Sequence, residues 1–286
     1  MEAIGKLLKD APWSARFGIA AIAINIICAL FAPWIAPYGE TEVIGGVWEP
    51  AIWSANAVSQ DVPVILGTDH LGRDLFSRLI YGARNTIALA IVATSISFLF
   101  GAMLGFLAAT LKGWVDMLLS RIIDILMAFP TLILALVVLS VMGTTTVVLI
   151  VVIAVINSTR VYRISRAVAM DIEVMEYVEA SHLRGEGLWW IMKDEILPNA
   201  LPPLVAEFGL RFCFVFLFIS ALSFLGLGLQ PPTADWGSMV RENAAAISFG
   251  IFTPLVPAAA ISFLTVGVNL VVDWLLHKVS GIKDVS

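Results

Sequence analysis

Two side chains of opposite charge, Glu207 and Arg211, lie four residues apart within an otherwise apolar segment. On a helix this spacing brings them together on one face. A charge inside a membrane span is costly and usually faces the bundle interior or a water-filled path. The pair could line a solute pathway, or it could be a structural ion pair near one end of a span. Asn157, Asn269 and Asp273 are further pathway candidates, and they fit hydrogen bonds between helices equally well.

No pattern for covalent or nucleotide chemistry accompanies these residues. The chain lacks a G-x-x-x-x-G-K-[ST] phosphate loop, so we expect it to bind no ATP itself. It also lacks H-E-x-x-H and G-x-S-x-G, and no carboxylates are paired for acid–base chemistry. The two cysteines lie in apolar blocks and the three histidines are far apart, which gives no metal site. We therefore expect neither an enzyme nor a metalloprotein.

The elements that carry these residues are membrane spans. Hydrophobic residues make up 59% of the 286-residue chain and charged residues 14%, against roughly 25% charged residues in soluble domains. The apolar residues fall in blocks that approach the roughly 20 residues a spanning helix needs. Since no small-residue cleavage site follows the first block, we expect it to be a retained span. The prediction is an all-α membrane protein with six transmembrane helices at about residues 17–35, 86–111, 115–141, 146–160, 201–229 and 251–276.

The distribution of Lys and Arg predicts the orientation. With the N-terminus inside, twelve of these residues fall in cytoplasmic segments and four in outer segments, and a cytoplasmic excess is the rule for membrane proteins. Both termini are therefore predicted to be cytoplasmic. The cytoplasmic set is Lys6, Lys9, Arg16, Lys112, Arg121, Arg160, Arg163, Arg166, Arg184, Lys193, Lys278 and Lys283, and the outer set is Arg73, Arg78, Arg84 and Arg241.

The outer loop between the first two spans, residues 37–84, is too long for a simple connector. Its second half predicts a short amphipathic helix that lies on the membrane surface. This helix could be a lid that packs on the spans, or a docking or gating surface for an extracytoplasmic partner. The supporting residues are the candidate N-caps Thr68 and Asp69, the apolar stripe Leu71, Leu75 and Leu79, and the charge pairs Asp69–Arg73 and Asp74–Arg78.

The inner loop between the fourth and fifth spans predicts two helices, at residues 175–185 and 188–197. Gly185 would join them, because glycine readily takes a positive φ at a helix end. Pro198 would then stand in the first turn of the fifth span, where its missing N–H does no harm. We call this compact unit, residues 175–197, the knob. It could transmit a movement of a soluble partner to the fifth span.

Three motifs in this order resemble the permease subunits of ABC importers. The knob sequence Glu179-Ala180-Ser181, then Gly185, then Ile196-Leu197-Pro198-Asn199, resembles the EAA loop of that family. Residues 66–84 are similar to the L-G-T-D-x-L-G-R-D signature of the C-type permeases of dipeptide, oligopeptide and nickel importers, and residues 224–237 are similar to the end of their fifth span. The resemblance covers nearly the whole chain.

Three positions depart from the EAA pattern of that family. Ser181 stands where alanine is usual, Arg184 where an apolar residue is common, and Glu195 where histidine is common. Serine preserves the size of alanine. Arg184 and Glu195 could tune the pairing with a particular ATPase subunit.

The resemblance implies that the chain is one subunit of a transport complex in the bacterial inner membrane. A second homologous permease would complete the pathway, two cytoplasmic ATP-binding subunits would dock on the knob, and an extracytoplasmic binding protein would deliver the solute. ATP and Mg²⁺ would be used by the ATPase subunits, and no nucleic acid is expected. The ATPase-coupling residues would be Glu179, Ala180, Ser181, Arg184, Gly185, Ile196, Leu197 and Pro198.

The resemblance also implies two regions. Residues 1–85 would hold the first span and the periplasmic loop, and residues 86–280 would form the permease domain, with the coupling loop at about 170–198. Peptides are the expected solute, and nickel complexes, opines, glutathione and oligosaccharide-like solutes are alternatives. A secondary transporter is a more distant alternative. It would call for inverted repeats, which the sequence does not show clearly, and would leave the knob unexplained.

Overall fold

The computed structural model of the protein describes residues 11–51 and 64–280, and these residues are mainly helical. Among them no strand occurs beyond two isolated bridges, Val43 with Arg73 and Thr68 with Asp74. Lys6, Lys9 and Lys283 lie outside the described residues. The helices are α1 (Trp13–Leu30), α2 (Ala32–Ile35), α3 (Leu75–Leu111), α4 (Gly113–Ala128), α5 (Thr131–Met142), α6 (Thr146–Glu173), α7 (Glu176–Leu183), α8 (Leu188–Trp190), a π-helix (Ile191–Ile196), α9 (Leu197–Phe224), α10 (Trp236–Glu242), a 3₁₀ helix (Ala244–Phe249) and α11 (Leu255–Ser280).

Five of the described helices are long and apolar enough to cross a membrane, and a sixth span results if α4 and α5 are counted together. This confirms the all-α membrane fold. The predicted third span is broken, because α4 and α5 meet at an angle of 86°. The break follows from Pro130, whose ring disfavours helical geometry in the preceding residue. Phe129 is accordingly extended, with φ −86° and ψ 137°.

Several helices continue beyond the predicted span limits. Helix α3 begins at Leu75, well before residue 86, and α6 continues past Arg160 to Glu173. With 37 residues, α3 is about 55 Å long, whereas the hydrocarbon core of a bilayer is about 30 Å thick. Its ends therefore protrude from the hydrocarbon, and hydropathy alone places only the middle of such a helix.

The prediction of a separate surface helix in the outer loop was wrong. Residues 68–74 form turns, and α3 starts directly after them. Asp74 caps the helix, since its Oδ2 accepts hydrogen bonds from Ser77 N (2.8 Å) and Ser77 Oγ (2.6 Å). Asp69 instead accepts from the amides of Leu71 and Arg73, at 2.8 and 3.0 Å, and so closes a side-chain turn.

The chain divides into two compact units, which are described separately. Among the described residues, one comprises 11–51, 64–90, 139–149 and 216–271, and the other 91–138, 150–215 and 272–280. In the first unit, Trp236 is fully buried and its indole N–H donates to the Leu79 carbonyl at 2.8 Å. Asp235 caps α10 through Ser238 N (2.9 Å) and accepts from Thr86 Oγ1 (2.9 Å). These bonds fix α10 against the start of α3.

In the second unit, α3 and α6 approach closely at Gly101 and Gly105, which the sequence marks as a small-xxx-small pair. A Cβ at Gly105 would lie 2.8 Å from both the Tyr162 carbonyl oxygen and the Arg166 amide nitrogen. A Cβ at Gly101 would lie 2.7 Å from the Ser158 carbonyl oxygen. Backbone atoms cannot move aside as a flexible side chain can, so only glycine fits at these two positions.

We therefore expect Gly105→Val to destabilise the protein by at least about 1–3 kcal/mol, the usual cost of overpacking. The measurement is the thermal unfolding midpoint of the purified protein in detergent. Ser95→Val is the control, because Ser95 is exposed on the same helix. Equal midpoints for the two variants would contradict a backbone contact at Gly105.

Candidate functional site

The first arm of the knob is helix α7. A residue with non-helical backbone angles marks each of its ends. Met175 precedes it in an extended conformation, with φ −78° and ψ 144°. At the other end Gly185 has φ +80°. Its amide donates to the His182 carbonyl at 3.0 Å, and the amide of Glu186 donates to the Ser181 carbonyl at 3.2 Å. This pair of bonds is the Schellman motif, which satisfies the last carbonyls of a helix and requires a left-handed residue.

Helix α7 has one face packed on the protein and one face open. Val178 and Ser181 are buried, and Val178 belongs to an apolar core that also contains Ile172, Ile191 and Ile196. The opposite face carries Glu176, Glu179, Ala180 and Leu183, all of them exposed. Leu183 is 83% exposed. A large apolar side chain left open beside carboxylates, on a helix outside the apolar spans, suits a docking surface for another protein.

The second arm of the knob is continuous with the fifth span, which the sequence did not predict. Residues Leu188–Phe224 form one helical run that includes the π-helix. Within it, the amide of Leu197 donates to the Met192 carbonyl five residues earlier. Pro198 is the second residue of α9, as predicted, but α9 directly continues the π-helix, and Pro202 and Pro203 lie farther inside it. The wider π turn directly precedes Pro198, where a regular helix would bring the proline ring against a carbonyl.

The knob residues predicted from the sequence fall into inner and outer groups. Ser181 and Ile196 are buried, whereas Glu179, Ala180, Arg184, Gly185, Leu197 and Pro198 are exposed. His182 ties the knob to the end of α6, because its Nε2 is 2.9 Å from Oε1 of the buried Glu173. The structure therefore brings the predicted residues onto one small helical unit, although they do not all share one surface.

The pathway candidates are not gathered in one place by the contacts that the structure shows. Arg211 and Glu207 do form an ion pair. Arg211 is 6% exposed, and its Nε and Nη1 have no hydrogen-bond partner among the described residues. The side-chain amide of Asn157 donates from Nδ2 to the Ile153 carbonyl of its own helix at 2.9 Å. Asn269 is half-buried in the other unit, and Asp273 is exposed.

A second polar cluster lies in the first unit, and we call it the outer cluster because it includes residues of the outer loop. The sequence predicts only part of it. The pair Asp69–Arg73 was expected, and Arg73 Nε lies 2.7 Å from Asp69 Oδ2. Arg78 does not pair with Asp74 as predicted. It lies 3.3 Å from Asp69 and 3.2 Å from Glu242. Glu242 enters from α10, so no local sequence pattern could have identified it.

This outer cluster balances two guanidinium groups with two carboxylates. Burial lowers the pKa of His70, an effect that the carboxylates of Asp69 and Glu242 oppose. Asp69, His70 and Glu242 offer ligand atoms within 4.8 Å of one another. However, Arg73 and Arg78 already bind both carboxylates, which disfavours a divalent cation there. The cluster thus acts as an electrostatic clamp between the outer loop and α10.

Removal of the carboxylate at position 242 tests this clamp. Among the described residues, Glu242→Gln would leave Asp69 as the only carboxylate within 4 Å of Arg73 and Arg78, and Arg78 is only 1% exposed. Breaking a buried ion pair typically costs about 3–5 kcal/mol, and we expect a loss of about 2–3 kcal/mol because Glu242 is partly exposed. Thermal unfolding of the purified protein measures the loss. Asp171→Asn, at an exposed position, is the matched control, and a Glu242→Gln midpoint equal to that of the control would contradict the clamp.

Comparison with known proteins places this architecture in a family. The model of the binding-protein-dependent transport system inner membrane component matches residues 101–280. The di/tripeptide transport system permease protein DppC of Pseudomonas aeruginosa strain UCBPP-PA14 is 35% identical over 259 residues, covering 90% of this chain and 84% of that protein. The glutathione transport system permease protein GsiD of Pectobacterium atrosepticum is 33% identical over 210 residues, covering 73% and 70%.

One solved structure supports the fold independently of close sequence similarity. The crystal structure of an amino acid ABC transporter with histidines superposes with a TM-score of 0.52, covering 69% of this chain and 92% of that chain at 19% identity. Transport permeases of this kind are not enzymes. The chain belongs to the family of binding-protein-dependent transport system inner membrane components, and it is a multi-pass inner-membrane permease of an ABC importer that works with an ATPase and a binding protein.

Proposed function

We propose that this permease forms half of a pathway that imports di- or oligopeptides across the bacterial inner membrane. A second homologous permease supplies the other half, and an extracytoplasmic binding protein delivers the peptide. Two ATP-binding subunits, which use ATP and Mg²⁺, dock on the knob. Relatives named for dipeptides, di/tripeptides and glutathione support a short peptide as the solute. Both termini lie in the cytoplasm, in keeping with the excess of Lys and Arg in the segments on that side.

The main support for this proposal is that helix α7 has one exposed face and one face packed on the rest of the protein. Its outer face presents Glu179, Ala180 and Leu183, a surface with both charge and apolar area for an ATPase groove. Its inner face packs through Val178 on a core shared with Ile191 and Ile196. Those two residues lie on the helix that becomes the fifth span. A movement of the ATPase would therefore reach the membrane helix through direct packing.

Charge reversal at Glu179 tests the docking. The permease is purified with its gene-neighbour permease, ATPases and binding protein, and ATP hydrolysis stimulated by peptide is measured in lipid nanodiscs. We expect Glu179→Lys to lose the ATPase subunits or to reduce stimulation by at least about tenfold, since a like or unpaired charge at an interface costs about 2 kcal/mol or more.

Asp171→Lys is the control for that experiment, because it reverses an exposed charge outside the knob. Stimulation of Glu179→Lys at the level of the control would contradict docking through α7. The same preparation is screened with dipeptides, longer peptides, glutathione, opines, oligosaccharides and nickel chelates as ligands of the binding protein. The ligand that stimulates hydrolysis identifies the solute, and stimulation by a nickel chelate alone would overturn the peptide assignment.

A second experiment concerns the pair Glu207–Arg211, which we propose to line the pathway. Two of the guanidinium nitrogens of Arg211 are buried and have no hydrogen-bond partner among the described residues, so a solute carbonyl or carboxylate that reached them would satisfy them. We expect Arg211→Ala to reduce peptide uptake about tenfold while the ATPase subunits still bind. The measurement is uptake of a labelled dipeptide into proteoliposomes.

The double variant Glu207→Gln with Arg211→Met separates the two roles of this pair. If the pair only stabilises the helix, removal of both charges restores uptake, because neither partner is left uncompensated. If the guanidinium contacts the solute, uptake stays low in the double variant. Recovery to the wild-type rate would remove Arg211 from the pathway.

A further inference from the structure

Three polar side chains from the two arms of the knob meet at one point. Ser181 on α7 donates its hydroxyl to Glu195 Oε1 at 2.7 Å. Arg184 Nη2 donates to the same hydroxyl at 2.8 Å, and it lies 3.9 Å from Glu195 Oε1. The guanidinium carbon of Arg184 also stands 5.7 Å from the centre of the Trp190 ring. We call Ser181, Arg184 and Glu195 the brace.

The hydroxyl of Ser181 is the central element of the brace. A serine has one hydrogen to donate, and the Tyr177 carbonyl of its own helix lies 2.9 Å away as a competing acceptor. The carboxylate of Glu195 is closer and charged, and charged acceptors form the stronger bond. Arg184 then occupies a lone pair of the same oxygen. Ser181 is fully buried and Arg184 is half-exposed, so water can reach the guanidinium but cannot satisfy the hydroxyl when it loses a partner.

The brace adds a polar contact to the apolar packing of Val178 on Ile191 and Ile196. Gly185 makes the turn between the arms, and the space that a Cβ would occupy there is empty to 4 Å. The turn therefore fixes the backbone direction without packing the arms together. Glu195 belongs to the π-helix, whose geometry is wider and less regular than that of an α-helix. The hydrogen bonds of the brace cross-link the arms at this weaker segment.

We propose that Ser181, Arg184 and Glu195 are positioning residues that make the knob and the start of the fifth span move as one body. The inference rests on the proposed docking of the ATPase on α7. A displacement of α7 passes through Ser181 to Glu195, and from there along the helical run to Phe224. Without the brace, α7 can shift on its apolar contacts while the π-helix yields, and part of the displacement is lost before it reaches the span.

The test compares Ser181→Ala, Glu195→Gln and their double variant in the full complex in proteoliposomes. The quantity measured is dipeptide imported per ATP hydrolysed. We expect this ratio to fall about threefold to tenfold in each single variant, which corresponds to the net contribution of one ordinary protein hydrogen bond. We also expect the double variant to be no worse than Ser181→Ala. Glu195→Gln weakens the bond that the alanine removes, and once the hydroxyl is absent the charge of its acceptor no longer matters. A residue that serves stability alone would change the yield of complex and leave this ratio untouched.

Asp194→Asn is the matched control, since it removes the same charge from the neighbouring, exposed position of the π-helix. Its ratio should equal that of the wild type. If Ser181→Ala does not assemble, the isosteric Glu195→Gln carries the test alone. A ratio for Glu195→Gln equal to that of Asp194→Asn would overturn the brace. Failure of the wild-type complex to bind any ATPase would instead overturn the proposed function, so the two outcomes remain distinct.

Discussion

Inside a bilayer no water is available to satisfy a backbone amide or a side-chain charge, and this constraint governs the whole chain. It forces the apolar segments into helices, which bond their own backbones. It also restricts breaks in these helices to positions where the residue type tolerates the loss of a helical hydrogen bond. The break between α4 and α5 stands at Phe129-Pro130, and the π-helix stands directly before Pro198. Both sites use proline, which removes an amide donor and so leaves one less group to satisfy.

The same constraint decides how charged side chains are distributed. Arg211 pairs with Glu207 on its own helix. Arg166 of α6 forms two bonds with Asp116 of α4, one of them at 2.6 Å between Nη2 and Oδ2. Arg78 is nearly fully buried and is compensated by carboxylates from two other segments. In each case a costly charge is offset by a specific partner, and the ion pairs of Arg166 and Arg78 also fix which segments lie together.

The class of fold could be predicted from hydropathy and composition, because span length is a property of single segments. The limits of the helices could not, since α3 and α6 continue beyond the apolar windows that hydropathy detects. The turn at Gly185 was predictable, because a positive φ at a helix end is a local requirement that glycine meets. Glu242 was not predictable, because its partners lie far away in sequence and only the packing of α10 on α3 brings them together.

In the knob, the structure explains residues that are unusual in the sequence. From the sequence, Ser181, Arg184 and Glu195 are three separate departures from a family pattern, and two of them invite an explanation through contacts with a partner. In the structure the three touch one another. An alanine at position 181 could not bond to Glu195, and an apolar residue at 184 could not neutralise it. Each departure therefore gives the other two their physical reason, and together they form a directional contact between the arms. A directional contact resists sliding as well as separation, which is what the transmission of a displacement from a soluble motor to a membrane helix requires.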